Sequence, residues 1–321
     1  MTNKHVVARD SLGYLPTLNA PATDMSAVYQ VLTKSLQIKE TLRLQRIVVV
    51  FNLALYAKAT KIKWKHSAQF NAIVLIMGVF HTICTFLAVI RKRFQDAGLR
   101  DVCVESGVIA DGFVVGVLKG CSYNRAIRFH KIMFEALNRL AWNGFQRWIE
   151  EHHKDKKPRV DELMKVLKQL IDSTCGPEFK DVMRSPLFQE VSQLFLSYSH
   201  HLRDSNGKLS KFRMSYVDMI EVLLGLIRAT REGNWSIHLS SLRGIVPWCF
   251  AYDNINYARY LFVYLSKMSH LPEEHPDAFT YVRSGRLSVQ LRNSNPFGRV
   301  PVDQTCEETV NKLQEARNDS A

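Results

Sequence analysis

The sequence predicts a mixed, helix-rich α/β fold with an all-helical block in its middle. Two short runs, Ile47–Phe51 and Ile73–Met77, are fully apolar and rich in β-branched residues, as are central strands that are covered on both faces. Other segments repeat apolar residues at helical spacing. An apolar share of 46% with 23% charged residues is typical of a globular protein.

The domain organisation follows from changes in composition along the chain. Residues 1–25 contain prolines and small polar residues, and we expect an extended N-terminal arm. Residues 26–122 hold both strand runs and form the first part of the α/β core. Residues 123–245 carry successive amphipathic segments, which predict a helical insertion. Residues 246–321 complete the core and end in a polar tail.

The apolar stretch over residues 70–90 allows two interpretations. A strand, a turn at Gly78 and a helix over Thr82–Phe94 would place it in a buried core. A single helix of about 20 apolar residues flanked by positive charge would meet the length criterion for a membrane span. His81 lies inside this window and makes a lone span costly. We favour the strand and helix, with a single-pass membrane protein as the alternative.

The net charge of +13 and the pI near 9.5 indicate an anionic partner, with nucleic acid first and an acidic membrane surface second. A solvated basic surface without a partner would have the same composition. The six cysteines include no Cys-x-x-Cys pair, which disfavours a zinc ribbon or a disulfide scaffold and indicates a reducing compartment. The N-terminus has no apolar core of signal-peptide type. We therefore expect a nuclear or cytoplasmic protein, with a membrane location as the alternative.

Basic residues suited to phosphate contacts occur in three groups. They are Lys58, Lys61, Lys63 and Lys65 around Trp64; Arg91, Lys92 and Arg93; and Arg125, Arg128 and Lys131 along one helix flank. Such residues neutralise phosphates without reading the base sequence. A solvated face is the competing interpretation.

The candidate catalytic residues are polar side chains at predicted strand ends and helix starts. No phosphate-binding loop, Gly-x-Gly-x-x-Gly motif or nucleophile elbow is present, so nucleotide hydrolysis and serine hydrolase chemistry have no support. Asn52 follows the first strand, His81 follows the second, and Asp253 and Glu308 begin late helices. Two-metal phosphoryl transfer needs converging carboxylates, and a neutral amide offsets no metal charge. A core histidine and helix caps are the competing interpretations.

Several long motifs are similar to a family of largely uncharacterised animal proteins derived from transposable elements. The resemblance runs from about Gly13 to Lys312, and its motifs include FNLALYAKATKIKWKH, YNRAIRFHKIMFEALNRLAW, FAYDNINYARYL and SNPFGRVPVDQTCEETVNK. The layout resembles transposases with a ribonuclease-H-like core interrupted by a helical insertion. The resemblance implies a DNA-binding nuclease ancestor that used Mg²⁺ or Mn²⁺.

The resemblance also places the site residues. Asn52 and His81 match the strand-end motifs, and Asp253 or Glu308 would be the late acid. The chain departs from the pattern, because Asn52 stands where an aspartate is expected and arginine stands at 91, 286 and 292 where glycine is expected. The resemblance also leads us to expect a further segment after Lys312, and it therefore implies a degenerate, C-terminally truncated copy.

These observations predict an inactive relic of a metal-dependent transposase or nuclease that retains non-specific nucleic-acid binding. One alternative is a binding or scaffold protein with no catalytic role. The other is the single-pass membrane protein that would span the bilayer through residues 70–90.

Overall fold

The two runs predicted as strands pair in parallel in the computed structural model of the protein. β1 (Ile47–Phe51) and β2 (Ile73–Met77) pair in register along their whole length, and α2 (Leu53–Lys65) connects them. Parallel strands need a crossover connection of about this length. All of β2 is buried, since α1 (Met25–Thr41) and α2 both pack against it.

The chain forms two compact units. The first comprises residues 1–126 and 221–321, and the second comprises residues 127–220. Their boundaries fall inside α6 (Tyr123–His152) and α10 (Lys208–Glu232). The structure describes residues 10, 13, 20–21, 24–119, 122–173, 176–204, 207–290 and 297–308.

The remaining elements of the first unit are mostly helices. They are α3 (Val79–Phe94), a 3₁₀ helix (Gln95–Ala97), α4 (Leu99–Glu105), α5 (Asp111–Leu118), α11 (Trp235–Ala251), α12 (Ile255–Ser269), α13 (Leu271–Glu274), α14 (Pro276–Arg283), β3 (Ser288–Val289), β4 (Val300–Pro301) and α15 (302–308). In the core, the buried rings of Tyr56 and Tyr264 lie edge to face with centroids 6.0 Å apart. This aromatic pair joins α2 to α12.

The described part of the second unit consists of helices and short connections between them. Besides parts of α6 and α10 it contains a 3₁₀ helix (Lys154–Lys156), α7 (Lys157–Ser173), α8 (Gly176–Arg184) and α9 (Pro186–Asp204). Apolar faces of α6, α7 and α9 meet in a core that includes Phe145, Leu163 and Val191. The second unit therefore has a hydrophobic core of its own.

The predicted ribonuclease-H-like α/β fold is wrong. Of the described residues, 78% are helical, and they contain only two sheets of two strands each. The cause is that only β1 and β2 are apolar runs of strand length, whereas β3 and β4 have two residues each. The first unit is thus a mostly helical structure around one β–α–β unit, because helices rather than further strands cover the apolar surface of β2.

Residues 70–90 fold as the strand-and-helix interpretation predicts. β2 ends at Met77, Gly78 follows, and α3 begins at Val79 rather than at Thr82. The predicted apolar face of α3 is buried and consists of Ile83, Phe86, Leu87 and Ile90. The alternative of one continuous span is wrong, because the segment is divided between a strand and a helix. Among the described residues, none of the helices has the length and apolar character that a membrane crossing requires.

The second unit occupies much of the predicted insertion over 123–245, but it ends at residue 220. The end of α10 and all of α11 therefore belong to the first unit. Most of the predicted arm and residues 309–321 of the predicted tail lie outside the described residues. Within the arm, the backbone N–H of Asp10 donates to the Gln290 carbonyl (3.0 Å), and Asp10 Oδ2 accepts the Gln290 N–H (2.9 Å). These bonds hold Asp10 beside the end of β3.

Candidate nucleic-acid interface

Two of the predicted catalytic residues lie at the same end of the parallel strands. The N–H of Gly78 donates to the carbonyl of Phe51 (2.8 Å), so the strand ends are adjacent. Asn52 directly follows β1, and His81 lies in the first turn of α3, which directly follows β2. In parallel sheets this edge is where functional side chains most often meet.

Asp303 supplies the carboxylate at this edge. Its Oδ1 accepts the N–H of Phe80 (3.2 Å), and its Oδ2 accepts the N–H of His81 (3.2 Å). The N-cap residue of α3 is Gly78, which has no side chain to satisfy these N–H groups. Asp303 therefore caps α3 from α15, and its negative charge lies at the positive end of the helix dipole.

The imidazole of His81 lies between two carboxylates of α15. Its Nδ1 is 3.1 Å from Asp303 Oδ2, and its Nε2 is 3.4 Å from Glu307 Oε1. The hydrogen bond to Asp303 raises the pKa of His81 above its ordinary value, and partial burial opposes that rise. The protonated form is thus favoured, and both ring nitrogens then donate to carboxylates.

The two predicted late acids are placed differently. Glu308 is exposed on α15, where its Oε1 accepts from Gln304 Nε2 (2.9 Å) at the rim of a pocket of about 330 Å³ beside Phe80. Asp253 is adjacent to Tyr252, whose carbonyl accepts from Lys92 Nζ (3.5 Å). Lys92 is at the other end of α3, about 17 Å from His81 at 1.5 Å per residue. Asp253 is therefore not part of the His81 cluster.

The side chains at the strand ends do not fit a Mg²⁺ or Mn²⁺ site. Asn52 Oδ1 accepts the N–H of Leu55 (3.1 Å) as the N-cap of α2, and both oxygens of Asp303 accept N–H groups of α3. Within the described part of the chain, no group of three or more His, Cys, Asp or Glu side chains is placed to hold a metal ion. We assign no metal-dependent step to these residues.

Sequence reasoning missed Asp303 and Glu307. Both lie in the motif SNPFGRVPVDQTCEETVNK, and their spacing of four residues places them on one helical face. That spacing was a usable signal, although nothing in the sequence linked α15 to the start of α3. His81 and Asp303 are 222 residues apart, and no local sequence pattern predicts a contact over that separation.

The predicted lysines of α2 are of two kinds. Lys61 and Lys65 are exposed one turn apart, and Lys58 is half-buried. Lys63 instead donates through Nζ to the Ile73 carbonyl at the start of β2. Burial, followed by the charge of Lys267, lowers the pKa of Lys63 to about 8. Lys61 and Lys65 are therefore the lysines of this group that are best placed to meet phosphates.

Trp64 lies between the two exposed lysines in sequence and is itself 55% exposed. The Nζ of Lys267 lies 5.1 Å from the Trp64 ring centroid, within the range of a cation–π contact. Sequence reasoning missed Lys267 because it belongs to α12, far along the chain. The surface of α2 thus combines lysines with an accessible aromatic ring.

The predicted cluster of Arg91, Lys92 and Arg93 ends α3, where positive charge complements the helix dipole. The Arg93 guanidinium lies 5.1 Å from the Trp248 ring centroid and donates to the Tyr252 hydroxyl (3.1 Å). Lys92 lies 5.9 Å from the centroid of the Tyr252 ring. These contacts attach α3 to α11 and its C-cap residue Tyr252, so Lys92 and Arg93 have a packing role inside the first unit.

The third predicted group lies along α6. Arg125, in the first unit, is exposed and lies 4.8 Å from the Phe113 ring centroid. Arg128 and Lys131 are exposed and belong to the second unit. All three side chains are thus accessible within their own units.

The model of one protein family, described as a domain of unknown function (DUF8702), matches residues 1–317. The chain belongs to the DUF8702 family. No curated protein and no solved structure matches it. The family description assigns no activity.

In this DUF8702 chain, net positive charge is concentrated in one continuous segment. Residues 41–95 contain nine lysines and arginines and no aspartate or glutamate. Arg46 is paired with Asp277 (2.8 Å), whereas neither Lys61 nor Lys65 forms an ion pair with a described carboxylate. An uncompensated positive surface attracts polyanions, so the exposed face of α2 is the candidate interface.

Proposed function

We propose that this DUF8702 protein is derived from a transposable element and binds nucleic acid without sequence preference and without cutting it. The observation that carries the proposal is the exposed pair Lys61 and Lys65 on α2, within a segment that contains no acidic residue. Lysines neutralise phosphates as point charges and read no base. A nuclear or cytoplasmic location would give such a surface access to nucleic acid.

The side chains at the strand ends, Asn52, His81 and Asp303, support the proposal that the protein does not cut nucleic acid. Asn52 and Asp303 are engaged as helix caps, and Asp303 also holds His81. Oxygens that accept backbone N–H groups in caps are not arranged around a common ion. The cluster therefore serves better to hold α15 on α3 than to transfer a phosphoryl group.

Binding at several salt concentrations tests the proposal. The affinity of the full chain for a labelled random-sequence DNA is measured by fluorescence anisotropy between 50 and 200 mM salt, roughly the range over which counterion release is diagnostic. We expect the affinity to fall as salt rises. Lys61→Gln with Lys65→Gln should weaken binding several-fold and make the slope of log K against log salt shallower by about 2.

A matched control keeps the total charge change constant. Lys165 and Lys168 are two exposed lysines on α7 of the second unit, and Lys165→Gln with Lys168→Gln removes the same charge elsewhere. This control should bind as the unmodified chain does. Equal losses in both double variants, or no binding at the lowest salt, would contradict the assignment to α2.

A protein-interaction role is the second candidate. Ile255 and Phe262 are 65% and 67% exposed on α12, and their spacing of seven residues places them on one face of that helix. Exposed apolar groups in such an arrangement mark contact surfaces. Sedimentation of the unmodified chain and of Ile255→Ser with Phe262→Ser would separate the two candidates, because only an interaction surface predicts self-association that the changes abolish.

A further inference from the structure

We propose that the groove between α1 and α2 receives an unpaired base, so that the preferred ligand is single-stranded rather than duplex nucleic acid. This inference rests on the nucleic-acid binding proposed above and names its substrate class. The groove has a volume of about 510 Å³, which is in the range of pockets that take small organic groups.

The groove carries positive charge at one wall and apolar surface within. Lys61 and Lys65 line it from α2, together with Ile62 between them. Met25, which is 45% exposed, lines it from α1. A phosphate backbone lying along the lysines would therefore pass beside an apolar recess. Charge and shape together fit a chain of phosphates that carries flat apolar groups.

Aromatic side chains supply the surface on which a base would stack. Tyr29 lines the groove from α1 and His66 lines it from α2, with ring centroids 5.6 Å apart in an edge-to-face contact. Tyr29 also lies edge to face with Phe70 at 5.3 Å, and its hydroxyl donates to Gln69 Oε1 (2.9 Å). These contacts fix the Tyr29 ring before any ligand arrives, which limits the entropy lost on binding.

Trp64 offers a second aromatic surface beside the same lysines. Its ring is 55% exposed, and Lys267 lies 5.1 Å from its centroid. In a duplex the base faces are covered by their stacked neighbours, so neither Tyr29 nor Trp64 gains a stacking contact from it. An unpaired base presents its face, and each stacking contact contributes about 1–3 kcal/mol, or roughly 5- to 150-fold in affinity.

The test compares ligands whose bases are exposed, absent or covered by stacking. The full chain is titrated with an oligothymidylate, with a base-free deoxyribose-phosphate strand of the same length, and with a duplex. We expect the oligothymidylate to bind at least about 5-fold more tightly than the base-free strand. Equal affinity for the strands with and without bases would overturn the inference while leaving the proposed function intact. Loss of salt-dependent binding to all three ligands would overturn both.

Variants locate the stacking surface. Tyr29→Leu and Trp64→Leu should each lower affinity for the oligothymidylate and leave affinity for the base-free strand unchanged. Tyr29→Phe keeps the ring and should retain the preference for bases. Should Tyr29→Leu lower the thermal midpoint, His66→Leu carries the comparison, because His66 lines the same groove from α2. A preference for bases that survives Tyr29→Leu together with His66→Leu would overturn the placement in this groove.

Discussion

The carboxylate of Asp303 lies directly against the backbone of Gly78, so that a Cβ atom added at Gly78 would lie 2.7 Å from Asp303 Cγ. The same carboxylate accepts the N–H groups of Phe80 and His81. Glycine at this position therefore leaves the space in which the cap of α3 lies. A residue with any side chain would have to displace the capping group.

Gly78→Ala should destabilise the protein by about 1–3 kcal/mol, because the new methyl group and the Asp303 carboxylate cannot occupy the same space. The free energy of unfolding is measured by chemical denaturation. Asp303→Ala should also be destabilising, since two N–H groups of α3 lose their acceptor. The double variant Gly78→Ala with Asp303→Ala should lose less than the sum of the two single changes. Additive losses would contradict the contact.

The contribution of His81 to stability should depend on pH. Its pKa is raised in the folded protein, chiefly by the hydrogen bond to Asp303. The stability that this bond contributes is fully present below the unfolded pKa of about 6.5 and is lost as pH rises through the folded pKa. The difference in unfolding free energy between the unmodified chain and His81→Gln should therefore be larger at pH 5.5 than at pH 9.

Comparison of His81→Gln with the unmodified chain at each pH removes the effect of other titrating groups, such as buried His238, whose pKa burial lowers to about 4. A constant difference for His81→Gln across this range would show that His81 has no charged role.

Asn52 is the N-cap residue of α2, and its replacement tests that role. Asn52→Ala should cost about 1 kcal/mol of stability, because the N–H of Leu55 loses its acceptor, whereas Asn52→Asp should be nearly neutral. Incubation of Asn52→Asp with supercoiled plasmid and Mg²⁺ or Mn²⁺ should produce no nicked circles. Metal-dependent nicking by Asn52→Asp that His81→Ala abolishes would restore the interpretation of this edge as a metal site.

The strands were predictable because their signal is local. Ile47–Phe51 and Ile73–Met77 are continuous β-branched runs, and both form strands with the predicted bounds. The fold class was not predictable in the same way, because the number of strands in a sheet depends on pairing between distant segments. Two correctly placed strands could also belong to a larger sheet, and the resemblance to transposases implied such a sheet. Helices cover β2 instead.

The candidate site was predictable only in part. Chain order placed Asn52 and His81 at one sheet edge, since both follow strands that pair in parallel. The acid that holds His81, Asp303, could not be distinguished from Glu308 by pattern, because both lie in the same short helix. For the lysines of α2, composition alone did not reveal that Lys63 is directed to the Ile73 carbonyl. The structure distinguishes the two lysines, because Lys63 is partly buried and Lys61 is exposed.

The arginines that stand where the resemblance expects glycines do not strain the backbone. Within the described residues, the non-glycine residues with positive φ are Arg43 (52°) and Asp253 (56°). Arg91 lies inside α3, and Arg286 is exposed near Tyr281, with its guanidinium 5.6 Å from that ring centroid. Arg292 lies outside the described residues. Arginine at positions 91 and 286 therefore carries no conformational penalty.

The cap that Asp303 provides for α3 joins residues 223 positions apart, and the whole second unit lies between them in the chain. During translation, α3 leaves the ribosome long before its acceptor has been made. While the helices of the second unit are synthesised, the N–H groups at the beginning of α3 are therefore hydrogen-bonded to water. The first unit can be completed only after α15 has been made.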